Sequence, residues 1–555
     1  MTTRKITLRA LDPGRAMPRD PRLVSYNIEM AEVTGGTFWK RYTPAQIAGA
    51  DEVPAPKLPE DASGSGFSMS DMLGGASVLM EERPPIDLSQ PRLRTLAAAI
   101  GPSWVRVSGS WATGTYFDYD GRAGGVPPEG YRAVLTRAQW EGVLDFVRVV
   151  GGRLLVSVAV VPGLGNAACK KLGGTGAWDP GQVRRLLNAA TRYGVPVSAV
   201  EFANEPNISF LDAPGYVPKG YMQDQDAFYR FMRVEFPGVK LVGPCGAMDP
   251  IDEVDEGATG DGMSAAGNGA GAVAGAAPAS GFLSKLRVPT SRQLADLARE
   301  RPDAYSYHIY AGMSERGAAF GHHWSPDEAV GDAVLAVADR ARCYHEPIRD
   351  AWCPKAPLWV TESGDANCGG NTWGSTFLDV FRTADEIARF SAAGDGVIFH
   401  NTLASSDYGL LDEDTFAPRP NWWFLWLWKR LMGNGAFAAR DAAVEPIMPP
   451  CAHAYARTRG DGKPGVAYLV INNSLDESLD VVVPAPAVRY TLSSAMAPAD
   501  GSVATLQLRC GTMLLNGHAL AIAERGAMPA LGLMGVDAEA GTICLPPATV
   551  TFLVL

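Results

Sequence analysis

Val200-Glu201-Phe202-Ala203-Asn204-Glu205-Pro206-Asn207-Ile208-Ser209-Phe210 begins as an apolar run and ends in polar residues and a proline. Because proline lacks a backbone N–H and disfavours continued strand pairing, residues 197–203 are predicted to form a buried strand with Asn204 and Glu205 at its carboxyl end. In a barrel of parallel strands, catalytic groups lie at that end. The stretch therefore favours a functional carboxylate beside an amide, the alternative being a glutamate in an ordinary strand-to-helix loop.

A second stretch repeats the pattern: Pro-Leu-Trp-Val-Thr-Glu-Ser-Gly at 357–364 is a short apolar strand that ends in Glu362. Two strand-end glutamates match the requirement of retaining glycoside hydrolysis. One carboxyl group protonates the leaving oxygen and the other attacks the anomeric carbon, which requires a separation of about 5–5.5 Å. The fourth and seventh strands of an eight-stranded barrel face each other across its mouth, so the order of the strands decides whether Glu205 and Glu362 can meet.

Strands and helices alternate regularly along the chain, which predicts an α/β fold of the (β/α)8 TIM-barrel type. In this count Glu205 follows strand four and Glu362 ends strand seven. The helix at 179–193 is expected to have Asp179 as its N-cap and Pro180 as its first residue. The predicted strands are 23–29, 104–108, 154–160, 197–203, 240–243, 304–310, 358–361 and 396–400; the predicted helices are 86–100, 136–150, 179–193, 221–236, 291–300, 327–345, 376–393 and 421–432.

The pattern changes after the barrel. Residues 436–555 lack helical periodicity and contain short alternating runs separated by turn residues, which predicts a C-terminal β-sandwich. Residues 1–20 contain an alternating strand at 4–10 that we expect to join this sandwich. The barrel then covers 21–435. It includes a Pro/Gly/Ser-rich loop at 51–75 and, at 250–283, an insertion that starts acidic and becomes Gly/Ala-rich.

Composition excludes several functional classes. The chain has 555 residues and a net charge of −11 with dispersed basic residues, which argues against nucleic-acid binding. It has no run of 18 apolar residues and no secretory leader, so we expect no membrane span and a cytoplasmic location. Its eight cysteines form no Cys-x-x-Cys pair, which predicts neither a disulfide framework nor a zinc site. The closing helix at 421–432 is so aromatic that packing against the barrel is favoured over a ligand platform.

Several motifs together resemble those of heparanase and bacterial β-glucuronidases, glycoside hydrolase family 79. The stretch from Asn204 to Phe210 resembles the family's acid/base motif, and Thr361-Glu362-Ser363 with Cys368-Gly369-Gly370 resembles its nucleophile loop. The match covers most of residues 20–435. It departs from the family in the loop that begins at Asp365, where heparanase has a tyrosine before its glycines. Further similar segments are Leu93–Leu96, Val105–Ser110, Tyr307–Tyr310, Asp407–Asp412 and Pro420–Trp423.

The resemblance implies retaining hydrolysis of β-linked glucuronic acid, with Glu205 as general acid/base and Glu362 as nucleophile. The partner would be a glucuronic-acid-containing glycan or a glucuronide, and the mechanism needs no cofactor and no metal. Asn204 is expected to donate to the sugar 2-hydroxyl, and Tyr310 to hold Glu362 in line. The remaining candidate substrate-binding residues are His308, Gly369, Gly370, Tyr408, Glu29 and Ser110.

Three alternatives to this activity stay open at this stage. We expect exo action, because the acidic insertion would repel a polyanion that approached it, but a heparanase-like endo enzyme on heparan sulfate is the alternative. A retaining glycosidase on a neutral sugar is the second. The third is a carbohydrate-binding barrel that has lost catalysis, although the presence of both glutamates argues against it.

Overall fold

The computed structural model describes residues 4–54, 79–129, 131–158, 178–209, 218–251, 288–319, 321–445, 447–498, 501–523 and 526–555. Eight parallel strands close into a barrel in chain order, which confirms the predicted (β/α)8 fold. The insertion at 250–283 lies, except for its first two residues, outside the described residues, as does most of the loop at 51–75. The barrel strands are Val24–Glu29, Trp104–Ser108, Arg153–Ser157, Ala199–Glu201, Lys240–Gly246, Ala304–Tyr310, Leu358–Gly364 and Val397–His400.

The ends of strands four and seven differ from the prediction. Strand four ends at Glu201, and a one-turn helix, Pro206–Ser209, follows almost at once. Pro206 is its first residue, where the missing N–H costs nothing. Asn204 and Glu205 therefore lie in irregular backbone beyond the strand, and Glu205 has a left-handed φ of 44°. Strand seven instead continues past Glu362 to Gly364.

The helices cover the outside of the barrel. The helix predicted at 179–193 begins at Gly181 with Pro180 at the cap position, so the predicted N-cap Asp179 was wrong by one residue. Asp179 still accepts a hydrogen bond from the Gly181 N–H, at 2.9 Å. The main helices are Pro91–Ala99, Arg137–Val149, Gly181–Tyr193, Pro218–Glu235, Ser291–Leu297, Val337–Trp352, Val380–Ala393 and Pro420–Leu431; shorter ones are Met30–Thr34, Pro44–Ile47, Asp332–Leu335 and Thr505–Leu508.

The barrel interior has an apolar lower layer and a polar upper layer. Trp104 and Trp359 meet in the lower layer with ring centroids 5.0 Å apart, together with small and aliphatic side chains from the other strands. Two residues further along strand two, Arg106 is fully buried in the upper layer. Because the lower layer is filled, any substrate has to enter from the carboxyl ends of the strands.

A register shift in strand seven determines where Glu362 points. Strict alternation from Trp359 would turn Thr361 and Ser363 toward the interior and Glu362 away from it. The pairing with strand eight shifts between Val360 and Ser363, and the pairing with strand six shifts between Tyr307 and His308. A β-bulge of this kind re-aims a side chain, and here it brings the Glu362 carboxylate into the upper layer.

The C-terminal region forms two packed sheets. The N-terminal strand Lys5–Thr7 pairs in parallel with Leu479–Val483, as expected from its alternating sequence. Buried apolar residues such as Ile6, Val470 and Leu553 fill the space between the sheets. The smaller sheet also contains Gly541–Leu545; the larger contains Met17–Pro18, Met432–Ala436, Ala452–Arg459, Val466–Asn472, Ala487–Ser494, Met513–Leu515, His518–Ala519, Val536–Ala538 and Thr549–Val554.

The closing helix Pro420–Leu431 is a packing element. Its tryptophans at 422, 423, 426 and 428 are at most 3% exposed. Trp422 packs edge-on against Trp423, and Phe424 stacks on Phe552 of the C-terminal sheet with centroids 5.8 Å apart. The helix packs into the core, as predicted, and in addition contacts the C-terminal sheet, which the sequence did not predict.

Candidate active site

The barrel brings Glu205 and Glu362 together around His308. The Nδ1 atom of His308 lies 2.9 Å from Oε1 of Glu205 and 3.5 Å from Oε2 of Glu362. One carboxylate oxygen from each glutamate and one ring nitrogen of His308 all lie within 4.8 Å of one another. This separation is in the range of a nucleophile and an acid that act on the same glycosidic bond, and is short of the roughly 6.5–9.5 Å between carboxyls that accommodate an attacking water.

Glu362 is nearly buried and held by charged and polar donors. Arg106 donates from Nη1 to Oε1 at 2.9 Å, and the Tyr310 hydroxyl donates to Oε2 at 2.7 Å. Burial alone would raise the pKa of Glu362, but electrostatic attraction from His308 and Arg106 and the two hydrogen bonds outweigh it. The pKa of Glu362 therefore falls below its ordinary value, which keeps this carboxylate ionised as a nucleophile requires.

Arg106 connects both strand ends and was missed by the sequence reasoning. Its Nε donates to Glu201 at 2.9 Å, its Nη1 to Glu362 and its Nη2 to the Asn204 side-chain oxygen at 2.8 Å. A fully buried guanidinium is stable only when its donors are paired in this way. The signal was present as an arginine inside the otherwise apolar run Trp104–Val107.

Asn204 is oriented by two donors. Its Oδ1 accepts from Arg106 and from the Ser108 hydroxyl, the latter at 3.2 Å. Since the oxygen faces these donors, the side-chain nitrogen is the end that faces away from Arg106. Ser108 also contacts Ser157, whose hydroxyl donates to Glu201 at 2.7 Å. The ends of strands two, three and four are thus connected by hydrogen bonds beneath the site.

A hydrogen-bond chain fixes the proton on Tyr310. Asn27 donates to Asn401 at 3.1 Å, and Asn401 donates to the Tyr310 oxygen at 2.9 Å. Because the phenol oxygen already accepts from Asn401, its own hydrogen points to Glu362. Tyr310 lies where the sequence reasoning predicted, whereas Asn27 and Asn401 were not predicted.

Glu29 lies at the end of strand one and is 5% exposed. Burial, Glu362 and Glu32 together raise its pKa well above the ordinary value, against the lowering effect of Arg106. A Cβ on Gly109 would lie 1.5 Å from Glu29 Oε2, and the φ of Gly109 is +90°. Only glycine fits at 109 beside this carboxyl. Burial beside Glu362 and Glu32 therefore favours the protonated form of Glu29, which is the form that can donate to a ligand hydroxyl.

The loop that follows Glu362 is held by side chains that donate hydrogen bonds to its backbone carbonyls. The Arg316 guanidinium donates to the carbonyls of Cys368 and Gly370, each at 3.2 Å, and to Asp407 at 2.5 Å. Ser406 donates to the Gly369 carbonyl at 2.9 Å. In a trans peptide the N–H points opposite to the carbonyl, so the N–H groups of Gly369 and Gly370 point away from these donors.

Both loop glycines are required by the backbone and its surroundings. Gly369 and Gly370 each have a φ of +85°, and a Cβ on Gly369 would lie 2.6 Å from Trp39. A Cβ on Gly370 would lie 3.1 Å from the backbone nitrogen of Tyr408, which places this loop against Tyr408. The Tyr408 ring in turn lies 6.3 Å from the Tyr310 ring, centroid to centroid.

Ser110 is the candidate farthest from this arrangement. Strand two ends at Ser108, and Ser110 is exposed, with its carbonyl accepting from the Thr113 hydroxyl at 2.9 Å. Ser108, not Ser110, contacts Asn204. A substrate-binding role for Ser110 stays a prediction.

Glu205, His308 and Glu362 could also be considered as metal ligands, because their ligand atoms are close enough for one ion. Arg106 lies 2.9 Å from Glu362 and places a full positive charge beside the position that a cation would take. Such a charge opposes the binding of a divalent ion. The arrangement fits an acid and a nucleophile better than a metal centre.

Comparison with known proteins gives relatives of one kind. The chain is 30% identical over 233 residues to heparanase-like protein 1 of Arabidopsis thaliana, which covers 36% of the chain and 41% of the relative. It is 22% identical over 382 residues to a hyaluronoglucuronidase of Hirudo nipponia, which covers 63% of the chain and 67% of the relative. The resemblance to the heparanase and β-glucuronidase family is confirmed. No family model matches the chain.

Solved structures share the fold. One of them is a 4-O-α-L-rhamnosyl-β-D-glucuronidase from Fusarium oxysporum. The alignment covers 99% of this chain and 100% of that chain, with a TM-score of 0.57 and 11% sequence identity. This likeness supports the combination of a barrel with a C-terminal β region. Within the described residues, no helix is both long and apolar enough to cross a bilayer.

Proposed function

We propose that the chain is a retaining glycoside hydrolase that releases terminal β-linked glucuronic acid. The observation that carries the proposal is the approach of Glu205 and Glu362 to within 4.8 Å, oxygen to oxygen. The names of the relatives support glucuronic acid as the sugar that is released, since heparanase-like proteins and a hyaluronoglucuronidase are similar to this chain.

In the first step the ionised Glu362 carboxylate attacks the anomeric carbon while Glu205 delivers a proton to the departing oxygen. A covalent glycosyl ester on Glu362 forms and the glycosidic bond breaks. In the second step Glu205, now a carboxylate, takes a proton from a water that attacks the same carbon from the face the aglycone left. Two inversions leave the released sugar in the β configuration.

Sugar contacts follow from the positions of the donors. Asn204, with its oxygen turned toward Arg106, would present its nitrogen to the 2-hydroxyl, a contact that strengthens in the transition state. The N–H groups of Gly369 and Gly370, with the Tyr408 hydroxyl, would bind the C6 carboxylate. Backbone N–H groups in left-handed segments form anion-binding concavities of this kind. Glu29 would donate to a ring hydroxyl.

The test of the reaction compares nitrophenyl β-glucuronide, β-glucoside and β-xyloside as substrates. We expect the glucuronide to be hydrolysed with the highest kcat/KM, and NMR of the early product to show the β anomer before mutarotation. If the α anomer appears first, the mechanism is inverting. A higher kcat/KM on the glucoside or xyloside would instead assign the enzyme to a neutral sugar.

Exo action is tested separately with heparan sulfate. The net charge of −11 opposes the approach of a polyanion, although screening limits this effect to close contacts. Release of glucuronate without a change in chain size on gel filtration is expected for an exo enzyme. A rapid fall in chain size with little free monosaccharide would assign a heparanase-like endo activity.

A further inference from the structure

A cavity lies at the opposite end of the barrel from Glu205 and Glu362. It has a volume of about 580 Å³ and lies between the barrel floor and the C-terminal sheets. Its barrel side includes Val24, which starts strand one, and Pro102, which precedes strand two. Glu29 and Ser108 end the same strands at the active-site mouth, so the two sites are separated by the length of the barrel.

Basic side chains dominate the charged lining of this cavity. Four cations line it, against the single carboxylate of Asp20. Asp20 already accepts a hydrogen bond from the Arg22 N–H at 2.7 Å. The four cations are Lys429, Arg457, Arg459 and Lys463.

Arg459 and Lys463 have a partial counterion in Asp461. Arg459 makes a two-pronged ion pair with Asp461, at 3.0 and 2.7 Å, and the Lys463 nitrogen lies 3.9 Å from the same carboxylate. One carboxylate therefore serves two cations at the rim of the cavity. Lys463 is largely exposed, with 73% of its side-chain surface open to solvent.

Lys429 and Arg457 have carbonyl partners instead of carboxylates. Lys429 donates to the carbonyls of Pro21 and Pro102, and Arg457 donates through Nε to Gly433 at 2.6 Å. Arg457 is 2% exposed, and its Nη1 is buried without a hydrogen-bond partner among the described residues. An unpaired buried donor on a cation costs free energy, and a negative charge in the adjacent cavity would offset part of the buried positive charge.

Burial also affects the pKa of both cations. It lowers the pKa of Lys429 to about 7 and the pKa of Arg457 to about 9, in each case with other cations nearby adding to the effect. Proteins usually offset buried positive charge with a carboxylate in direct contact. Here that carboxylate is missing from the ion pairs found among the described residues.

We infer that this cavity is a binding site for a small oxyanion, either free or carried on a single sugar. Lys429 and Arg457 would hold the anion from the helix and sheet sides, and Lys463 would act at the rim. The volume falls in the range of small-molecule pockets and leaves room for one sugar ring beside a sulfate, phosphate or carboxylate group. A ligand here would tie the barrel floor to the C-terminal sheets without contact with the catalytic carboxylates.

The test titrates inorganic sulfate into the full chain by calorimetry, with sodium chloride adjusted to keep ionic strength constant. We expect saturable binding at one site. Lys429→Met should weaken it about tenfold or more, because a charge-assisted hydrogen bond is lost. Lys463→Glu, on an exposed side chain that does not threaten folding, should weaken it several-fold. Lys355→Glu makes the same change of net charge on an exposed residue outside the cavity and should leave it unchanged.

Glucose 6-sulfate distinguishes the two sources of the anion. Tighter binding than inorganic sulfate would show that the ligand is carried on a sugar, whereas weaker binding would show that the site takes a free oxyanion. If neither ligand binds saturably, or if Lys463→Glu and Lys355→Glu weaken binding equally, the inference is wrong. Sulfate also stabilises proteins by exclusion from their surface, so a rise in melting temperature alone does not support the site.

Discussion

The ends of strands four and seven hold chemically identical side chains in contrasting surroundings. Glu362 lies within strand seven, at its β-bulge, and is 4% exposed, with Arg106 and Tyr310 donating to its two oxygens. Glu205 lies outside any strand, at a left-handed φ of 44°, with 15% of its side chain exposed beside His308. A nucleophile benefits from fixed donors that keep it ionised, while an acid/base has to exchange protons with a leaving group and with water. The difference in hydrogen bonding and exposure between the two positions thus agrees with the difference in their proposed roles.

Removing Glu362, the proposed nucleophile, should have the largest effect. Glu362→Ala is expected to lower kcat at least about 10⁴-fold on every substrate, because no covalent intermediate can form. Added azide would enter the vacated space and attack directly, giving an α-glycosyl azide from a β-glucuronide. Product analysis by NMR checks this outcome. A β-glycosyl azide from this variant would show that Glu362 is not the nucleophile.

Removing Glu205, the proposed general acid/base, should have a smaller effect that depends on the leaving group. Glu205→Ala is expected to lose about 10²–10⁴-fold on glucuronides with poor leaving groups, the usual contribution of general acid catalysis. On a dinitrophenyl glucuronide, formation of the intermediate should be nearly unimpaired because that group departs without a proton. Azide would then intercept the intermediate as the β-glycosyl azide. Equal residual activity of the Glu205 and Glu362 variants on this substrate would contradict the assignment of Glu205 as the acid/base and Glu362 as the nucleophile.

The sequence was sufficient to predict the barrel and to place Glu205 and Glu362 at the same end of it, because strand-helix alternation and strand-end carboxylates are local patterns. It was insufficient for the arrangement that distinguishes the glutamates. The bulge in strand seven that turns Glu362 inward depends on pairing with strands six and eight. The contacts of Arg106 with Glu201, Asn204 and Glu362 depend on three strands that only the closed barrel brings together.

Substitution of Arg106 should affect both strand ends, because Arg106 donates to Glu362 and to Asn204, the residue before Glu205. Arg106→Lys keeps the charge, but a point charge cannot bridge three acceptors as a guanidinium does. We expect kcat/KM to fall about 10²-fold or more, as for loss of a preorganised donor. Arg94→Lys, at an ion pair with Asp145 on the barrel's outside, is the matched control and should retain full activity. Circular dichroism melts of both variants separate a catalytic loss from unfolding.

Tyr310 offers the mildest test, since it contacts only the Glu362 side of the pair. Tyr310→Phe removes a charge-assisted hydrogen bond, which predicts a loss of about 10–100-fold in kcat/KM. The hydrogen bond lowers the pKa of Glu362, so its removal raises that pKa toward the value that burial favours. Glu362 must be ionised to attack, and activity is lost as pH falls through its pKa. The acid limb of the kcat/KM profile should therefore move to higher pH in this variant.

Tyr408→Phe leaves the Tyr310 hydroxyl in place and should change KM for the glucuronide without moving the acid limb. If both variants move the limb equally, or Tyr310→Phe leaves it in place, the stabilisation of ionised Glu362 does not come from the Tyr310 hydroxyl.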